Sequence, residues 1–155
     1  MTGVQTCALP ILSKIKTHFD SDPLVNTVTQ GDIFRIDLNK QTIFPLVHII
    51  VNNVQFVNNV QQANVSVLAM DIVDISKDET TDLFEGNDNE LDVLNTQLAT
   101  LNRLYEMIRR GDLYTDGYQV SGTPTCEPFI DRFENKLAGW TMTFDVLFPN
   151  DMTIC

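Results

Sequence analysis

Apolar residues near the start of the chain recur at helical spacing. Ile11, Ile15 and Phe19 follow one another at intervals of four residues, which places them on one face of a helix, and Pro23 would end it. We therefore predict a short amphipathic helix that begins near residue 11.

The pattern then changes to one that is typical of strands. Residues 32–39 (DIFRIDLN) alternate, with Phe34, Ile36 and Leu38 on one side, and predict a half-buried strand. Residues 44–51 (FPLVHIIV) form a nearly continuous apolar run of strand length, and its proline suits the first positions of a strand. Both segments indicate a sheet.

Two further segments extend this sheet. Residues 52–59 (NNVQFVNN) predict a short extended piece with an Asn-Asn turn on each side. Residues 63–75 (ANVSVLAMDIVDI) are apolar on both faces in the middle of the segment. Because only a central strand is covered on both faces, we expect this strand at the centre of the sheet.

A long helix is predicted after an acidic segment. Asn87 or Asp88 can cap its start, Arg109 and Arg110 suit the negative end of the helix dipole, and Gly111 suits the position after the last turn. Spacings of three and four residues give one apolar stripe, which we predict to face the core: Leu91, Leu94, Leu98, Leu101, Tyr105 and Ile108. Residues 111–125 then predict a long polar loop.

The segment EPFIDRFENKLAGWTMTFDV, residues 127–146, ends in a strongly alternating strand. A turn within ENKLAG would make the segment a hairpin with Phe129 and Phe133 on its first arm. Those residues and Leu137 are also four apart, so a helix is the alternative, but we favour the hairpin. One face of its second strand is apolar: Trp140, Met142, Phe144, Val146 and Phe148.

The order of these elements predicts an α+β fold. We expect a mostly antiparallel sheet, with the long amphipathic helix and the short N-terminal helix packed on one face. The 155 residues are enough for one domain with a substantial core.

Charge and cysteine content narrow the classes of function. The net charge of -11 argues against a protein that wraps DNA on its own, which would normally be basic. No apolar run approaches the ~20 residues of a membrane span, so we expect no membrane association. Three cysteines without a CxxC spacing suggest a reducing compartment and no disulfides.

Candidate chemistry is sparse. His48 lies in an apolar strand, so a core histidine with satisfied hydrogen bonds, or a semi-exposed one, is favoured over a ligand or base. A nucleophile–base pair of Cys126 with His48 would require the fold to bring them together. SKIK matches Ser-x-x-Lys at Ser13 and Lys16, but the companion motifs are missing. NVS at Asn64 matches a glycosylation acceptor, which matters only in a secreted chain.

The acidic segment from Asp71 to Asp92 carries nine acidic residues and one basic residue. It does not follow the EF-hand pattern, because counting six from Asp78 reaches Leu83 rather than glycine. A solvated loop is favoured over a metal site. We expect no cofactor, no metal and no catalytic residues.

Residues 1–11 (MTGVQTCALPI) resemble the in-frame translation of a DNA-sequencing adapter. We expect them to be an artefact, residues 12–155 to form the single domain, and the source to be an assembled environmental sequence. The natural N-terminus would then be missing from the first helix.

From about Val25 onward the chain resembles a family of small virion proteins of tailed bacteriophages. The resemblance lies in six blocks, which come in the family's order: GDIFRIDLNKQTIFPLVHIIV, VLAMDIVDISKDE, NDNELDVLNTQLATLNRL, RRGDLYTDGY, EPFIDRFENKLAGWTMTFDV and PNDMTIC. Such proteins look like tail-terminator or tail-completion proteins, which are α+β subunits that form a ring at the head–tail junction.

This resemblance implies a structural role in the virion. The implied partners are further copies of the chain, the tail-tube protein and head-connector proteins, with DNA passing through a lumen without specific binding. Charged residues of the hairpin would set the register between neighbouring subunits: Asp131, Arg132, Glu134 and Lys136. A head-closure, neck or minor tail protein is the alternative within this class. A small hydrolase or metal-binding enzyme, or a non-virion assembly chaperone, is the alternative outside it.

Overall fold

The structure, a computed structural model, describes residues 10–32, 43–73, 75–76, 87–88, 90–132 and 137–149. Three helices lie within these ranges: α1 (Pro10–Asp20), α2 (Glu90–Arg110) and the four-residue α3 (Asp112–Thr115). The strands are β1 (Thr27–Gln30), β2 (Leu46–Val57), β3 (Val60–Ile72), β4 (Ile75–Ser76), β5 (Asn87–Asp88), β6 (Gln119–Arg132) and β7 (Leu137–Pro149).

The main sheet contains five strands in the order β1-β2-β3-β7-β6. The β1–β2 pair is parallel and the other three pairs are antiparallel. Within the described ranges, β4 and β5 form a separate two-stranded sheet. The predicted α+β class and mostly antiparallel sheet are therefore confirmed, and β3 holds the expected central position.

The two longer helices, α1 and α2, pack on one face of this sheet. Ile11, Ile15 and Phe19 of α1 are fully buried, as predicted, in one cluster with Leu101 and Leu104 of α2. Alternate residues of the strands complete the cluster, including Val65, Val67, Phe144 and Val146. We call this side of the sheet the covered face. α1 and α2 therefore contribute side chains to one shared core.

The expected boundary after residue 11 falls inside α1, which begins at Pro10. Ile11 has no exposed surface and packs in the main core. The origin of residues 1–11 stays a prediction.

The segment 44–59 contains one strand where two were predicted. Pairing between β2 and β3 continues through Asn52 and Asn53 with only a register shift, so the first Asn-Asn pair is not a turn. Asn58 and Asn59 form the two-residue turn, and Asn58 adopts a φ of 54°. Asparagine tolerates this left-handed conformation better than most residues.

The C-terminal hairpin is confirmed, but its first strand is longer than predicted. β6 begins at Gln119, so much of the predicted polar loop 111–125 is strand, preceded by the short helix α3. A side chain at Gly139 of β7 would collide with the carbonyl oxygen of Ala69 on β3. The absence of a side chain there permits close pairing of the two strands.

The start of the long helix differs from the prediction. Asn87 and Asp88 pair with β4 as strand β5, so neither caps α2, which begins at Glu90. Gly111 follows its last residue without a left-handed φ, and a Cβ there would lie 2.9 Å from Met107 Cα. Close packing therefore accounts for this glycine. The predicted strand 32–39 and most of the acidic segment lie outside the described residues.

Candidate interaction surfaces

The face that the long helix turns to the core overlaps only partly with the predicted leucine stripe. Leu101, Leu104 and Ile108 are buried, but Leu91 and Leu98 are 70% and 38% exposed. The positions that face the sheet in the N-terminal half are instead Val93, Gln97 and Thr100. The predicted stripe is therefore right at Leu94, Leu101, Tyr105 and Ile108, which pack in the core clusters, and wrong at Leu91 and Leu98.

Trp140 helps to fix this orientation. Its indole Nε1 donates a hydrogen bond of 2.9 Å to the backbone oxygen of Leu94. This contact joins the N-terminal half of α2 to β7, beneath the helix. The inward side includes Gln97, which is 1% exposed and whose Nε2 has no hydrogen-bond partner. In this half of α2, Gln97 thus lies inside while Leu91 and Leu98 lie outside.

An apolar groove of ≈ 230 Å³ lies between α2 and the edge strand β6. Leu98, Asn102 and Tyr105 line it on the helix side, and Met142 of β7 adds to its lining. The remaining lining comes from β6: Thr123, Pro124 and Cys126. None of these side chains is charged. We call this feature the α2–β6 groove.

The groove occurs where β6 departs from regular pairing. The register with β7 shifts between Ser121 and Thr125, and Gly122 has a φ of +73°. Proline at position 124 lacks the N–H that a regular ladder would use. Irregularities of this kind bend an edge strand and protect it from pairing with other chains.

A second exposed apolar feature lies at the turn between β2 and β3. Phe56 is 71% exposed and Val57 is 50% exposed, directly before Asn58 and Asn59. We call residues 56–59 the hairpin tip. In the sheet order, β2 is separated from β6 by β3 and β7, so the tip and the groove lie toward opposite edges of the sheet. Three strand spacings correspond to ~14 Å.

The other face of the sheet is polar in the half nearest the hairpin tip. Asn52 Nδ2 donates to Asn64 Oδ1 and to Ser66 Oγ, both at 2.8 Å. Asn64 Nδ2 donates to Asp145 Oδ1 at 2.8 Å, and the hydroxyls of Ser66 and Thr143 are 3.1 Å apart. These five residues cross three strands and form what we call the polar face.

Charge is distributed unevenly between helices and strands. The lysine and arginine side chains that the structure describes all lie on the helices: Lys14 and Lys16 on α1, and Arg103, Arg109 and Arg110 on α2. Arg103 Nη2 lies 2.8 Å from Oδ2 of the buried Asp22, which ties α2 to the segment after α1. The strands carry few charges, so the groove and the hairpin tip are neutral regions of an acidic protein.

His48 is a buried residue with both ring nitrogens hydrogen-bonded, as predicted. Nδ1 lies 2.7 Å from Thr29 Oγ1, and Nε2 lies 2.7 Å from the backbone oxygen of Gly31. Burial lowers the pKa of His48, although the hydrogen bond to Gly31 acts in the opposite direction. The neutral imidazole therefore joins β1 to β2.

Cys126 and His48 do not form a nucleophile–base pair. Cys126 pairs with Met142 and packs against the covered face. His48 alternates with Val47 and Ile49 of that face, so it lies on the opposite side of the sheet. Burial also raises the pKa of the Cys126 thiol, which disfavours the reactive thiolate.

Ser13 and Lys16, which match Ser-x-x-Lys, lie on α1 as part of a regular helix. Asn64, which matches the glycosylation acceptor, belongs to the hydrogen-bonded polar face. Within the described ranges, no group of three or more His, Cys, Asp or Glu side chains could hold a metal ion. No described helix combines the length and the apolar character needed to cross a membrane.

Of the four charged residues predicted to set subunit register, the structure describes the backbone of two. The backbone of Asp131 and Arg132 forms the end of β6, where Arg132 pairs with Leu137. Glu134 and Lys136 lie outside the described residues. Their proposed role stays a prediction.

The chain matches no protein-family model, and no curated protein matches it. The features that could serve binding must therefore be judged on their chemistry. Sequence reasoning missed both the groove and the hairpin tip. The sequence did contain signals for both features. α2 has more leucines than one face of a helix can bury, and the apolar pair Phe56 and Val57 stands directly before an Asn-Asn turn.

Proposed function

We propose that this chain is a structural subunit of a bacteriophage tail that forms a ring at the head–tail junction, as a tail-terminator or tail-completion protein does. The chain would act by shape and charge in the virion, with other copies of itself, the tail-tube protein and head-connector proteins as partners. The six sequence blocks that resemble the virion-protein family suggested this function.

One structural observation carries the proposal furthest. The α2–β6 groove and the hairpin tip are two different exposed apolar surfaces, and two strands of the sheet lie between them. A closed ring larger than a dimer is built from heterologous contacts, in which each subunit presents two different complementary patches. A subunit with this arrangement is suited to such a ring.

The charge of the chain supports the same function. Phosphate groups of DNA that passes a ring are repelled by acidic walls, and the net charge is -11. Acidic side chains also keep an unassembled subunit soluble until it meets its partners.

Mass spectrometry of purified phage particles that carry this gene would test the proposal. We expect the chain in washed particles, at a copy number far below that of the major capsid protein. Antibody labelling viewed by electron microscopy should then mark the junction between head and tail. Label at the distal tail would favour a minor tail protein instead.

The same samples separate the proposal from an assembly chaperone. A chaperone would be abundant in infected cells and missing from finished particles, which would refute a structural role. The capsid and tail-tube proteins of the same particles serve as internal controls for recovery.

A further inference from the structure

We propose that the hairpin tip of one subunit inserts Phe56 into the α2–β6 groove of the next copy of the chain. This inference rests on the proposed ring function for its choice of occupant, and it names the two patches that meet. The contact is heterologous, so each subunit gives its tip to one neighbour and receives the tip of the other.

The chemistry of the groove suits an aromatic side chain. Leu98, Tyr105, Pro124 and Met142 provide apolar surface, and methionine sulfur makes favourable contacts with aromatic rings. The groove volume of ≈ 230 Å³ is large enough for one such ring rather than a whole peptide segment. Phe56 is the most exposed of the large apolar side chains among the described residues, at 71%.

The orientation of α2 gives an independent reason for a partner. Leu98 is 38% exposed, while its neighbour Gln97 is 1% exposed with an unpaired Nε2. A helix that only had to pack its own sheet would be expected to turn the leucine inward and the amide outward. An apolar partner on the outer side of α2 would make the exposed leucine favourable.

Charge favours a second copy as that partner. Two copies of a chain with net charge -11 repel each other wherever acidic surfaces meet. The hairpin tip, with Phe56, Val57 and two asparagines, is uncharged, and so is the lining of the groove. These two neutral patches can therefore approach with less repulsion than the surrounding surface.

The size of the contact predicts that a single one is weak. An aromatic side chain buries ~150–250 Å², whereas a stable interface buries about 800 Å² on each partner. Closure of a ring makes each subunit use both patches at once, which multiplies the effect of weak contacts. We expect weak association in solution and strong association in a closed ring.

Complementary variants of the full chain test the pairing. Phe56→Ser removes the plug and Leu98→Glu places a charge in the groove. By sedimentation velocity, each variant alone should lose higher oligomers, with association weakened about tenfold or more, since buried aromatic anchors dominate such contacts. Mixed together, the two variants retain one intact contact and should form one-to-one pairs that do not grow.

Leu91→Glu is the matched control. Leu91 lies on the same helix and is 70% exposed, but it does not line the groove. This variant should associate like the wild type. Equal loss in Leu91→Glu and Leu98→Glu would attribute the effect to charge on α2 and overturn the inference. Far-UV circular dichroism and the unfolding midpoint verify that each variant is folded.

A cysteine trap captures even a weak contact. Cys126 lines the groove, and Gln61 lies opposite Phe56 on the same face of the hairpin, so Gln61→Cys should form a disulfide to Cys126 of a second copy. In a background with Cys7→Ser and Cys155→Ser, mild oxidation should give a ladder of covalent oligomers. Adding Cys126→Ser should stop the products at the dimer, because only the introduced cysteines can then react with each other.

The trap decides the inference separately from the proposed function. A ladder that is missing at the highest soluble concentration, or one whose disulfides join only the introduced cysteines to each other and Cys126 to Cys126, would overturn the tip-in-groove contact. The ring function would still be judged by the location of the chain in the virion. A ladder of disulfides between the introduced cysteine and Cys126, in a chain that never enters particles, would support the contact and refute the phage role.

Discussion

The two faces of the sheet are made from alternate residues of the same strands, yet they hold the protein together in different ways. On the covered face, Val65 and Phe144 are paired and almost completely buried. On the polar face, their neighbours Asn64 and Asp145 are half-buried and hydrogen-bonded to each other. A single strand thus contributes hydrophobic packing on one side and a polar ladder on the other.

The energies of the two faces differ accordingly. Burial of a large apolar side chain contributes about 1.5–3 kcal/mol, whereas a hydrogen bond contributes about 0.5–1.5 kcal/mol net because it replaces bonds to water. In the half of the sheet nearest the hairpin tip, stability should therefore depend mainly on the covered face, whereas the other half buries a second apolar cluster on the opposite face. The polar face holds its three strands in register, and its side chains are compatible with water. Exposed apolar side chains lie elsewhere, at the α2–β6 groove and at the hairpin tip.

Adjacent residues of β7 provide the largest expected contrast. Phe144→Ala should lower the free energy of unfolding by about 3–5 kcal/mol, because it opens a cavity in the main core. Thr143→Ala should cost about 1 kcal/mol or less, since it removes one hydroxyl from the polar face. Urea unfolding of both variants measures the difference. Similar losses would mean that the polar face is as important to stability as the core.

The two sides of α2 provide the next contrast. Leu104→Ala should cost about 2–5 kcal/mol, because Leu104 is fully buried. Leu98→Ala should change the unfolding free energy by about 0.5 kcal/mol or less, as exposed substitutions usually do. Denaturant unfolding of dilute protein, where association is negligible, provides the measurement. A large loss for Leu98→Ala would restore the predicted leucine stripe as the core face.

The period of the hydrophobic pattern predicted whether a segment is a helix or a strand better than it predicted which tertiary contacts that segment makes. The alternation in residues 140–148 reflects a strand with one buried face, and that arrangement is local to the strand. Residues 52–53 show the limit of local signals. An Asn-Asn pair favours a turn, but Asn53 pairs with Asn64 of β3, and Asn52 is the extra residue of a register shift whose side chain bonds to β3.

The orientation of α2 could not be read from its own sequence. Its apolar residues cover a broader arc than one stripe, so periodicity alone does not decide which part of that arc faces the sheet. The choice depends on tertiary contacts, among them the bond from Trp140 Nε1 to the backbone of Leu94. The groove depends further on the register shift near Gly122, which involves the pairing of two strands. Such features require the assembled fold.

The polar ladder should respond to charge more than to loss of a single bond. Asn64→Asp would place a second carboxylate beside Asp145, where the amide now donates at 2.8 Å. We expect a loss of about 1–2 kcal/mol at neutral pH, because like charges repel across strands and a hydrogen bond is lost. Adding Asp145→Asn should restore most of it. A double variant no more stable than the single one would show that the ladder does not couple these strands.

The smallest expected effect concerns His48, which joins β1 to β2. Burial lowers the pKa of His48 below its ordinary value, so the folded state favours the neutral ring. As the pH falls through about 6.5, the unfolded chain binds a proton more readily than the folded chain, and the free energy of unfolding decreases. His48→Gln, which cannot titrate, should reduce this decrease between about pH 8 and about pH 5.5, a range in which histidines titrate.

His18 provides the matched control for that measurement. Its pKa is also lowered by burial, so His18→Gln should remove a second, separate part of the same pH dependence. Comparing unfolding curves of the two variants with the wild type at both pH values assigns each part, while other titrating groups cancel. If the slope is unchanged in His48→Gln, the imidazole titrates alike in both states. His48 would then link the strands without making that link sensitive to pH.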